Sequence, residues 1–133
     1  MITSYNDLIQ ASRQQEEPQR LLFVFCRAEL PDEASAEEKA AFERGEGGAL
    51  TPVICVDKAP EEAPDFRSLV EESRETGQAW DMVFVAAMSG RGGVPPSSDD
   101  VQQPLTMMVE SIRLGHVGNY LPLNSEGAAI DLG

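Results

Sequence analysis

The chain is poor in positive charge, in histidine and in cysteine, and it holds no long apolar run. Ten Lys and Arg stand against 23 Asp and Glu, giving a formal charge of −13. That balance argues against nucleic-acid binding through a basic face, because counterion release needs clustered Lys and Arg. An anionic membrane surface repels such a chain for the same reason. No stretch approaches the roughly 20 apolar residues needed to span a bilayer. Polar Thr3, Ser4, Asn6 and Asp7 follow Met1, so a secretory leader is not expected and the expected setting is cytoplasmic. Cys26 and Cys55 each lie in an apolar run, where a free thiol packs as a small hydrophobe. A disulfide would need an oxidising compartment. His116 is the sole histidine, with no cysteine near it in sequence, so neither a metal site nor a cofactor is expected.

What is present suits a folded domain. The 133 residues, 41% of them apolar, are expected to form a single domain, 1–133. A chain of this length buries roughly two-thirds of its unfolded surface. Acidity of this degree signals solubility and electrostatic steering, and it permits a basic partner protein.

Ser4 caps a first helix, with Asp7 three residues on in the manner of a capping box, and Pro18 closes it. The unalternating run Leu21 to Cys26 then reads as a strand covered on both faces. Pro31 and Asp32 make a turn, and Ser35 with Glu38 form a second capping box ahead of a loosely packed helix, Ala36 to Arg44. Gly45, Gly47 and Gly48 end it. Leu50 to Val56 is a second strand, Pro52 marking its beginning or an edge position. Asp65 caps a third helix, Phe66 to Thr76, with Gly77 at the left-handed C′ position. Met82 to Met88 is another buried strand, and Trp80 before it is a partly buried lid for a helix.

Ser89 to Ser98 is loop, and a fourth helix follows with Leu105, Met108, Val109 and Ile112 at helical spacing until Gly115. Asn119 to Leu123 and Ala128 to Leu132 suggest a C-terminal hairpin. Strands alternating with helices therefore predict an α/β fold: a small three-layer sandwich with a mainly parallel sheet and helices on both faces.

Open α/β sheets bind ligands beyond the carboxyl ends of their strands. Those ends carry Arg27 and Glu29, then Asp57 and Lys58, then Ser89 and Arg91. With Gly90, Gly92 and Gly93 freeing backbone N–H groups, they suggest a small-anion or nucleotide pocket. The stretch S-G-R-G-G matches neither a P-loop nor G-x-G-x-x-G, and a flexible surface loop with ordinary strand-end charges is the favoured explanation. His116 reads as a helix-end cap, although hydrolysis through Ser89 and His116 is worth testing on their separation.

The run Leu21 to Phe25, together with GALTPVICVDKA (48–59) and WDMVFVAAMSGRGG (80–93), resembles a family of small uncharacterised proteobacterial proteins. Some of these are labelled as related to the ribonucleotide reductase alpha subunit. The resemblance spans nearly the whole chain and implies a bacterial, cytoplasmic setting. It implies no catalytic residue, since that reductase subunit is a large barrel with several reactive cysteines. Two functions are carried forward. The first is a non-catalytic interaction or regulatory domain, with a protein partner or homodimer formed through a sheet edge or the helix of Met107 and Met108. The second is the anion-binding domain.

Overall fold

Leu21 to Cys26 decides the architecture. In the computed structural model, which describes residues 2–30, 33–44 and 49–130, this run forms the middle of β1 (Gln19–Glu29). Alternate side chains of a strand point to opposite faces. Leu21, Phe23 and Phe25 enter one buried cluster with Tyr5, Ile9 and Leu69. Leu22, Val24 and Cys26 enter a second with Phe84, Val101, Met108 and Ile112. The first face is covered by α1 (Tyr5–Arg13) and α3 (Phe66–Arg74), the second by α4 (Gln102–Arg113). With both faces buried, no polar alternation is needed.

The sheet order is β2-β1-β3-β4, where β2 is Ala49–Lys58, β3 is Met82–Ser89 and β4 is Leu121–Asn124. Every neighbouring pair is antiparallel. The mainly parallel sheet expected from the sequence is therefore wrong. The reason is topological. β2 and β3 both oppose β1, so they run parallel to each other with α3 between them in sequence, yet β1 occupies the slot between them. Strand–helix alternation reports the connections and says nothing of the strand that fills the gap. The helix between β1 and β2, α2 (Ala36–Glu43), buries no residue, and its chain simply returns to the neighbouring position.

Local signals set the boundaries. Asp7 N–H donates to the Ser4 hydroxyl at 3.2 Å, while the Asp7 carboxylate reaches back past the cap to Thr3 N–H at 3.0 Å. Ser35 and Glu38 close a full capping box on α2, and Asp65 caps α3 through Ser68 N–H at 2.8 Å. Gly77 and Gly115 hold φ of 75° and 80°, a region L side chains resist, so each ends its helix. Before α4, Ser97 and Asp100 cap each other, and Pro104 falls in the first turn, where its missing N–H costs nothing. The expected turn at Pro31 and Asp32, the glycines 45, 47 and 48, and the end of the last strand lie outside the described residues. The C-terminal hairpin is short: Leu123 bridges Ala129, and Asn124 N–H donates to the Ala128 carbonyl at 2.9 Å.

Aromatic packing ties α1, α3 and the sheet together. Tyr5 lies 5.4 Å from Phe66, centroid to centroid, and its hydroxyl donates to the buried Ala63 carbonyl at 2.6 Å. Trp80 meets Phe25 edge-on at 4.9 Å and donates from Nε1 to the Ser73 hydroxyl at 2.9 Å, as a lid on α3. Two substitutions gauge these layers. Phe23→Ala is expected to cost about 3–5 kcal/mol, as a buried aromatic leaves a cavity. Tyr5→Phe should cost about 1–2 kcal/mol by orphaning the Ala63 carbonyl. Urea midpoints of the two variants, compared with the parent at equal slope, measure both.

Candidate functional site

Antiparallel pairing separates the strand ends that a parallel sheet would have gathered. Lys58 stands opposite Leu21, and Ser89 opposite Gln19, whereas Arg27 stands opposite Thr51. Arg27 is thus about 20 Å along β1 from the level of Lys58, at roughly 3.4 Å per residue. It donates to the Ala79 carbonyl at 3.3 Å and faces Glu29 at 3.9 Å. Lys58 turns toward α3 and pairs with Glu72 at 2.8 Å. The expected convergence of Arg27, Lys58 and Arg91 is not present.

The glycine loop does form a depression of about 410 Å³, lined by residues that include Ser89, Gly90, Arg91, Pro95 and Asp100. Lys58 does not line it. Within the loop, Arg91 and Val94 exchange two backbone hydrogen bonds of 3.0 Å, and Gly92 and Gly93 take φ of 60° and 80°. A Cβ on Gly90 would sit 2.0 Å from the Val94 carbonyl oxygen, so only glycine fits there. The N–H groups expected to hold an anion are largely engaged. Gly90 N–H donates to the Pro18 carbonyl at 2.8 Å, and Gly93 N–H donates to the Glu17 carboxylate at 3.0 Å. The chain's own carboxylate stands where an external anion would bind. The Ser89 hydroxyl accepts from Gln19 Nε2 at 2.8 Å. Arg91 forms no ion pair among the described residues.

The same end of the sheet carries Arg20, whose Nε donates to Asp57 at 2.6 Å while its Nη2 donates to the Ser98 hydroxyl at 3.0 Å. Ser98 also donates to Asp57, at 3.2 Å. This triad fastens the segment before α4 to the sheet. From there α4 runs 12 residues, about 18 Å at 1.5 Å per residue, before His116. Ser89 and His116 therefore belong to opposite ends of the layer. The His116 backbone N–H caps the Ser111 carbonyl at 2.8 Å, behind Gly115. Among the described residues no three His, Cys, Asp or Glu side chains are grouped to hold a metal ion. No helix among them is long and apolar enough to cross a membrane.

One feature is visible only with the sheet assembled. β2 is a terminal strand, and among the described residues no backbone group pairs with its outer side. Pro52, read from sequence as a start or edge marker, lies inside it, beside a bulge opposite Phe25 and Cys26. Beyond that guarded half, Ile54, Cys55, Val56 and Asp57 form an uninterrupted edge. Ile54 and Val56 face α3, where they line a notch of about 60 Å³ with Phe25, Leu69, Glu72, Ser73 and Thr76. Pro52 was the one sequence signal for this edge; the notch had none, because its walls come from three separate elements.

The two thiols lie on the opposite face, toward α4. Burial pushes the Cys26 thiol up to about 12, with Cys55 adding to the effect. Cys55 is exposed, yet the chain around it still raises its pKa, and the Arg113 charge opposes this only in part. Both are therefore neutral thiols near pH 8. A raised folded-state pKa contributes stability that is complete below the unfolded value near 9.0 and is lost as pH climbs toward about 12. Denaturation midpoints should fall between pH 8 and 10.5 by on the order of 1–2 kcal/mol from this group, and Cys26→Val should remove that share of the fall.

Compared with known protein families, with curated proteins and with solved structures, the chain matches none.

Proposed function

We propose that the chain is a non-catalytic protein-interaction domain that takes up a partner segment along the outer edge of β2. The observation that supports this is the ten-residue terminal strand whose outer side is unpaired among the described residues. Such an edge offers a row of N–H and C=O groups, and natural sheets block edges they do not use with proline, bulges or charge. Here Pro52 and the bulge guard one half, and Ile54 to Val56 carries no charge. Adding a strand to a free edge gives affinity through main-chain hydrogen bonds, while flanking pockets read alternate side chains.

The engaged glycine N–H groups and the distance of Arg27 from Lys58 along β1 weigh against the anion-binding alternative. The bacterial cytoplasm is the proposed setting, in keeping with the family resemblance and two free thiols.

A selection of random displayed peptides on the immobilised protein tests the reading, followed by hydrogen exchange on each complex. Selected peptides are expected to protect backbone amides of Ile54 to Asp57. Selection of peptides that protect only α4 or residues 89–98, or of none above background, would overturn it.

A further inference from the structure

The face of the sheet toward α4 carries a feature that the β2 edge reading does not use. Cys26 stands opposite Met82 of β3, and on its other side Cys55 of β2 stands opposite Val24. Val24 precedes Cys26 by two residues and shares its face, so Cys55 is the diagonal neighbour of Cys26. The Cys26 side chain folds back that way, its S–H donating to the Val24 carbonyl at 3.8 Å. Two thiols and a thioether thus lie in one row across β2, β1 and β3.

Span decides against a disulfide. Diagonal strand neighbours hold their Cα atoms about 7–8 Å apart, whereas a disulfide wants about 4.4–6.8 Å. An ion between the sulfurs relaxes that demand. Two metal–thiolate bonds of about 2.3 Å set the sulfurs up to about 4.6 Å apart, against roughly 2.05 Å for an S–S bond. Ligand chemistry then selects the ion. Zinc takes a tetrahedron of Cys, His or carboxylate ligands, and among the described residues no three such side chains are grouped. Thiolate and thioether sulfur together select the cuprous ion. Cys55 is exposed and gives that ion a way in, while buried Cys26 and Met82 keep water from it. Two thiolates on a singly charged cation leave one negative charge, which the Arg113 guanidinium acting on Cys55 offsets.

We infer that Cys26, Cys55 and Met82 form a site for one cuprous ion on the α4 face of the sheet. On binding, each S–H bond breaks as an S–Cu bond forms, and both protons pass to solvent. The Met82 sulfur donates a lone pair, and copper remains Cu(I) throughout.

Anaerobic titration of the full chain with Cu(I), in competition with the chromogenic cuprous chelator bicinchoninate, tests this, followed by X-ray absorption and sizing of the loaded protein. One ion per chain is expected, held by sulfur alone in a monomer, with no zinc bound under the same conditions. Changes outside the ligand shell of a metal cost about 10–100-fold in affinity, so losing a thiolate in Cys55→Ser, at an exposed position, should cost at least about 100-fold. Met82→Leu, which conserves core volume, should cost about tenfold. Both metal-free variants should keep the parent's circular dichroism, so that a lost affinity reports a lost ligand. Failure to take copper from the chelator, nitrogen or oxygen bound to the copper, or parent affinity in either variant would overturn the inference. So would one ion shared between two chains. None of these outcomes bears on the β2 edge reading, which is judged by its own peptide selection.

Discussion

β1 is hydrogen-bonded on both sides and covered on both faces, and the rest of the fold is arranged to satisfy that one strand. Six apolar residues in a row cannot be left with one side in water, so helices must lie above and below. α1 and α3 meet Leu21, Phe23 and Phe25, while α4 meets Leu22, Val24 and Cys26. Charged groups are kept off both buried faces and gather at the ends of the strands and on the exposed sides of the helices. There they form local pairs, such as Arg20 with Asp57 and Lys58 with Glu72, that pin helices and loops to the sheet.

Much of this was legible in the residues. The apolar runs of β1 and β3, the caps at Ser4, Ser35 and Asp65, and the stops at Gly77 and Gly115 are local, and each acts within one or two turns of chain. Strand direction was not legible. The unalternating run at Leu21 tells that both faces are buried, which parallel strands commonly require, but an antiparallel strand with helices on each side meets the same demand. The error then propagated to the site, because Arg27 shares an edge with Lys58 and Arg91 only if the strands run the same way. The Glu17 to Gly93 hydrogen bond was equally hidden. It joins residues 76 apart in sequence, and nothing near either residue announces it.

The net acidity acquires a geometry once the fold is known. A general charge of −13 describes solubility, whereas the notch beside β2 is lined by Phe25, Ile54, Val56 and Leu69, and its one carboxylate, Glu72, is paired with Lys58.

The short pairing of Ser4 with Ala128, with Ala129 N–H donating to the Thr3 carbonyl at 2.9 Å and Tyr5 N–H to the Gly127 carbonyl at 2.8 Å, has a consequence for how the molecule is made. Residues 3 to 5 close onto residues synthesised more than a hundred positions later. α1, with the buried Tyr5 at its start, cannot be locked down on a ribosome until that late segment has emerged. At a synthesis rate of roughly 5–20 residues per second, the face of the sheet beneath α1 waits several seconds for its cover. During that interval the nascent chain exposes Phe23 and Phe25, the same apolar residues on which the finished fold is built.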